Sequence, residues 1–173
     1  MVKRARIGIA LAGMCAASCG QEPSSCVPSG AELIGVASVA HACLHTQEGP
    51  FATVVSVGEG TAEVPELRNT HTFYTIGLGA SAAGPFEGVV RLRPRTSGVY
   101  ALYVDAAVPI AVRASSGAWL CPLQRYADDA CPLIAEAHSF RLERLQDYLV
   151  SLGPASAPAV RLVLEEIAPT SDD

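Results

Sequence analysis

The sequence predicts an all-β fold: an antiparallel β-sandwich or jelly roll of about eight or nine short strands. Three observations carry that expectation. Apolar residues recur with period two, the strand-prone runs are short, and clusters of Gly, Pro and Ser separate them.

Residues 1–18 have the three-part order of a secretory signal. Lys3, Arg4 and Arg6 form a basic head, Ile7 to Ala17 is uncharged and apolar, and small residues follow at Ala16, Ala17 and Ser18. The apolar run is about a dozen residues, whereas a stable transmembrane helix needs about 20, so it is expected to be cleaved. Ala16-Ala17-Ser18-Cys19 resembles the lipobox of bacterial lipoproteins, in which the cysteine is lipidated and becomes the new N-terminus; the family prefers Leu where Ala16 stands. Cys15 offers a rival frame, but Met14 before it is large for the residue preceding a cut. The resemblance implies lipidation at Cys19 and anchoring through two or more acyl chains, which hold a protein stably where one does not. Residues 19–35 then form a lipidated N-terminus and a flexible tether, rich in Pro, Ser and Gly between Gln21 and Gly30.

Cleavage before Cys19 leaves 155 of the 173 residues, enough for one domain with a sizeable core. An apolar content of 50% argues against disorder. The signal takes three of the twelve Lys and Arg residues and none of the seventeen acids, so the mature net charge is about −8. Such a domain repels phosphate backbones, which argues against a nucleic-acid partner. Lys3 is the chain's single lysine, so the mature protein has none for a Schiff base or a phosphate loop.

The domain is expected over 36–168. His71 to Leu78 places Tyr74, Ile76 and Leu78 on one face, and in Val89 to Arg95, Val90 and Leu92 alternate with Arg91, Arg93 and Arg95. Val99 to Val104, Pro109 to Val112, Trp119 to Leu120 and Val160 to Leu164 read as further strands. Arg141 to Leu152 carries two patterns. Leu142, Leu145, Leu149 and Leu152 fit a helix, but Phe140 and Leu142, then Tyr148, Val150 and Leu152, alternate as in strands. A hairpin is the favoured reading and an amphipathic helix the alternative, with Gly153-Pro154 as a stop for either. Residues 169–173 form a disordered acidic tail.

Phe86 to Leu92, Ser97 to Val104 and Tyr148 to Pro154 resemble parts of the jelly-roll modules appended to bacterial secreted proteins, such as pre-peptidase C-terminal domains. Ala42-Cys43-Leu44-His45 and Gly49-Pro50-Phe51 resemble the start of uncharacterised bacterial lipoproteins with an Ala-Cys-x-His motif. These resemblances imply a fold and no catalytic residues.

With Cys15 removed and Cys19 lipidated, Cys26, Cys43, Cys121 and Cys131 remain as disulfide candidates in an oxidising compartment. Three pairings are open. Cys121 with Cys131 is the local option and leaves Cys26 with Cys43; the crossed alternative joins Cys43 to Cys131. No pair has zinc-knuckle spacing.

No Gly-x-Ser-x-Gly elbow occurs, Gly77-Leu78-Gly79 lacks the third glycine of a dinucleotide site, and His41 and His45 lack the Glu of a zinc-protease helix. Asp128 and Asp129 read as a solvated turn rather than a Ca²⁺ loop. The domain is therefore expected to be non-catalytic, binding or structural, with no cofactor. Two alternatives follow from its side chains. His45 and His71 near strand ends, with His138 on another strand, could converge on Zn²⁺ or Cu²⁺. Trp119 and Tyr126, flanking Cys121, could present a glycan-binding surface, while Tyr100 and Tyr148 fit the core. The expected address is the bacterial cell envelope; by resemblance to lipoprotein sorting, Gly20 in place of Asp favours the outer membrane.

Overall fold

The computed structural model describes residues 26–29, 32–82, 84–127 and 131–169. The signal, Cys19, Asp128, Asp129 and the tail beyond Pro169 lie outside these residues. Among the described residues one helix, α1 (Val36–Glu48), precedes twelve strands: β1 (Phe51–Val55), β2 (Glu66–Leu67), β3 (Thr72–Gly77), β4 (Gly79–Ala80), β5 (Phe86–Leu92), β6 (Gly98–Val104), β7 (Ile110–Ala114), β8 (Trp119–Leu120), β9 (Gln124–Ala127), β10 (Glu136–Leu142), β11 (Tyr148–Ala155) and β12 (Ala159–Pro169). They form two stacked sheets, the β-sandwich that the alternation predicts. Sheet one runs β1-β3-β12-β6-β10-β9 and sheet two β2-β5-β11-β7-β8, with β4 beside β5. The sheets are mixed, because β1 runs parallel to β3 and β2 parallel to β5. The additional strands are short or lie at edges, where periodicity leaves little trace.

The main core fills the space between the sheets. Tyr74, Ile76, Leu102, Val104, Phe140, Leu162 and Leu164 of sheet one meet Val90, Leu92, Val112, Val150 and Leu152 of sheet two. A second, smaller core covers the other face of sheet one. There Phe73, Ala101, Tyr103, Ala137 and Val163 pack under Val39 and Ala42 of α1 and against Ile34, Cys131 and Ile134. Strand β6 is buried along its whole length because both of its faces are covered, which is why its sequence is an almost unbroken apolar run.

Helix α1 corrects the expectation of a strand around Cys43 and His45. Val39, Ala42 and Thr46 form its buried face at helical spacing. At its start the Gly35 N–H donates to Ser38 Oγ (3.1 Å), and that hydroxyl donates to the Gly35 carbonyl (2.9 Å). At its end Gly49 takes φ 78° and returns its N–H to the His45 carbonyl, a conformation that suits glycine.

Residues 141–152 are not helical, and their two strands do not pair with each other. Strand β10 pairs with β6 and β9 in sheet one, while β11 pairs with β5 and β7 in sheet two. The segment is thus a crossing between sheets rather than a hairpin. Leu145 sits at its turn with φ 59° and is exposed, so the leucine spacing that suggested a helix is incidental. Nor does Gly153-Pro154 stop the chain: β11 continues to Ala155 with a register shift after Leu152.

The cysteines adopt the crossed pairing, Cys26–Cys121 and Cys43–Cys131. The second bond joins α1 to the segment before β10. The first pins residues expected to be flexible tether. Ser29 N–H donates to the Leu123 carbonyl (3.0 Å), and the Leu33 and Ile34 N–H groups both donate to Gln124 Oε1 (2.6 Å each). Ser29, Leu33 and Ile34 of the expected tether are therefore docked beside the start of β9. Both disulfides close loops of roughly ninety residues, separations of 95 and 88, for which chain entropy predicts stabilisation near the top of the usual range. Peptide mapping without reduction should recover the 26–121 and 43–131 pairs. Replacing Cys43 and Cys131 together by Ser should lower unfolding free energy by about 2–5 kcal/mol in urea titrations.

Candidate metal centre

Three histidines and one glutamate meet where α1 crosses sheet one. His41 and His45 are four residues apart on α1 and so share one helix face. His71 immediately precedes β3, held by its N–H donating to the Leu164 carbonyl (2.9 Å). Its φ of 56° lies in the left-handed region, which histidine visits more readily than most residues. Glu165 lies on β12 two residues after Val163, so period two turns it to the face beneath α1.

The ligand-capable atoms of these four residues all lie within 4.8 Å of one another. His41 Nε2 is 3.3 Å from both His45 Nε2 and His71 Nδ1. Glu165 Oε2 is 2.7 Å from His71 Nδ1 and 3.8 Å from His41 Nε2, and its Oε1 is 3.6 Å from His45 Nε2. A tetrahedral site with metal–nitrogen bonds of about 2.0–2.1 Å has ligand–ligand edges of about 3.3 Å. The observed separations bracket that length. His45 Nδ1 is 2.9 Å from the Gly49 carbonyl. Donation there places the proton on Nδ1 and leaves the Nε2 lone pair facing the cluster, the outer hydrogen bond expected of a metal-ligating histidine.

Burial is graded across the cluster. The Glu165 side chain is 3% exposed and that of His45 16%, whereas those of His41 and His71 are 53% and 48% exposed. One side is therefore open to solvent and the other rests on the second core. Glu165 Oε1 is buried without a hydrogen-bond partner among the described residues, which is costly for an ionised carboxylate. Burial accordingly raises the Glu165 pKa to about 7, against a smaller lowering by His45. The His71 pKa is lowered, first by burial and then by repulsion from His45 and His41. Without a cation Glu165 thus keeps its proton up to near-neutral pH, and a divalent ion could take the place of that proton. The donor set is three imidazoles and one carboxylate. That suits Zn²⁺ or Cu²⁺, while Cys43, the nearest sulfur in sequence, is tied in a disulfide.

His138 does not belong to this set. It sits on β10 next to Ala137, which faces α1; the alternation turns His138 to the opposite face with Phe140. The site therefore keeps His45 and His71 of the sequence-predicted trio, replaces His138 with His41, and adds Glu165. The aromatic candidates do not gather into one surface. Tyr100 and Tyr148 are buried, as expected. Trp119 lies in sheet two beneath the Arg113 guanidinium, 5.1 Å from the ring centroid, and Tyr126 lies in sheet one against the second core.

A raised carboxylate pKa stabilises the fold most below the unfolded value of 4.5, and that contribution is lost as pH rises through about 7. The lowered His71 pKa acts in the opposite sense, costing stability as pH falls below 6.5. Glu165→Gln isolates the first effect. In chelator, the unfolding free energy of the wild type relative to this variant should fall by about 2–3 kcal/mol between pH 4.5 and 7.5, measured by urea denaturation. An unchanged difference would show that Glu165 titrates normally.

No protein-family model matches the chain, and no curated protein matches it, so the functional reading rests on this geometry.

Proposed function

We propose that the domain binds one divalent transition-metal ion, Zn²⁺ or Cu²⁺, through His41, His45, His71 and Glu165. We further propose that it does so in the bacterial envelope, anchored by lipid on Cys19. The observation that carries the metal reading is the buried Glu165 carboxylate, with an unsatisfied oxygen, aimed at three converging imidazoles. Four protein ligands fill a tetrahedral shell, which supports metal holding rather than hydrolysis, since catalytic zinc keeps a position for water. The exposed edges of His41 and His71 leave a path for the ion to enter and leave. The address rests on the signal-like head, the lipobox-like Ala16-Ala17-Ser18-Cys19 and Gly20.

Calorimetric titration of tag-free, EDTA-stripped protein with Zn²⁺ and with Cu²⁺ tests the site. One ion per chain should bind, and His45→Ala or Glu165→Gln should weaken binding by at least about a hundredfold, at the upper end of effects seen for supporting residues of metal sites. His138→Ala should leave affinity unchanged. The absence of saturable heat, or equal affinity in His45→Ala, ends the metal reading. Separately, Cys19→Ala should abolish incorporation of labelled palmitate and release the protein from membranes; unchanged labelling would overturn the anchor at this cysteine.

A further inference from the structure

His138, which the metal centre leaves unused, lines a second cavity, of about 570 Å³, on the far side of sheet one. That volume falls within the range of small-molecule sites. The His138 residue is 4% exposed, yet neither ring nitrogen has an aligned hydrogen-bond partner among the described residues. Glu136 Oε1 lies 3.2 Å from its Nε2. A buried imidazole left this way is unusual, because each unsatisfied polar group costs free energy. Arg125 pairs with His138 across β9 and β10, so both side chains rise on the same face. The Arg125 guanidinium is exposed and has no ion pair among the described residues. Val108, Pro109 and Ile110 supply an apolar wall. An apolar wall with a few converging polar groups, one of them a guanidinium, describes a ligand pocket more closely than a packing defect.

We propose that this cavity binds a small organic molecule bearing a carboxylate. The carboxylate pairs with Arg125, the apolar body lies on Val108, Pro109 and Ile110, and a polar atom of the ligand satisfies the His138 ring. A planar guanidinium matches a carboxylate with two parallel hydrogen bonds. Both a simple carboxylic acid and an amino acid have this chemistry; in the second case the ammonium group would face Glu136.

Sodium octanoate and L-leucine separate the two. Each is titrated into the full chain by calorimetry in EDTA, so that the outcome is independent of the metal centre, while the His138 imidazole resonances are followed by NMR. Saturable binding of either probe with movement of the His138 signals is expected. Preference for octanoate identifies a plain carboxylate site and preference for leucine a zwitterion site. Arg125→Gln, a change at an exposed position, should weaken binding at least about tenfold, the loss of one charge-assisted pair. His138→Leu should abolish binding; should that variant fail to fold, Arg125→Gln alone decides. No saturable heat from either probe at millimolar concentration, stationary His138 signals, or equal affinity in Arg125→Gln would overturn the proposal.

Discussion

The covering of the outer face of sheet one by α1 is the constraint on which the site depends. A helix of thirteen residues is marginal by itself in water. Here it is held by a small apolar footprint, Val39 and Ala42 on Phe73, Ala101, Tyr103 and Val163, and by the Cys43–Cys131 bond. Cys43 lies between His41 and His45, so the bond that fastens the helix also sets its rotation over the sheet. Without α1, Glu165 would stand on a solvated sheet face as an ordinary carboxylate. With α1 in place, it is 3% exposed and surrounded by imidazoles.

Burial gives Glu165 its chemistry. A carboxylate removed from water can be neutralised by a proton or matched by a positive charge. The rise of its pKa to about 7 is the first response. The clustering of three imidazoles, one fixed in tautomer by the Gly49 carbonyl, makes the second available. Burial first, and then repulsion from His45 and His41, holds His71 below its ordinary value. Tyr103, fully buried beneath the helix, remains a neutral phenol, raised chiefly by burial and further by Glu165. It therefore adds no negative charge to compete with the carboxylate.

What was legible in the sequence followed local alternation. Val90 and Leu92, Val99 to Val104, and Val160 to Leu164 read as strands and are strands. Strand partners were not legible, because Phe140 to Leu152 alternates identically whether its strands pair with each other or cross between sheets. Helix α1 escaped because its buried face is made of small or weakly apolar residues, Val39, Ala42 and Thr46, so its amphipathic contrast is low. That omission hid His41, whose four-residue spacing from His45 signals a shared face only on a helix. Glu165 left one local trace: a carboxylate following an apolar strand at a position in phase with Val163. Recognising it required knowing that the face opposite the sandwich core was also covered. The cysteine pairing depended on the same long-range fact.

Period two also explains why His138 and Glu165 cannot serve one site. Both lie in sheet one, but Glu165 is in phase with Val163 beneath α1, and His138 is in phase with Phe140 toward sheet two. A shift of one residue in either strand would bring them to a common face and would at the same time turn that strand's apolar set out of its core. The packing that stabilises the sandwich thus assigns His138 and Glu165 to opposite faces. Glu165 meets a helix that brings His41 and His45 to it, with His71 from the turn before β3; His138 meets a cavity with Arg125 at its side. The sheet therefore stands between the two groups, and each is set in its own surroundings by the strand alternation alone.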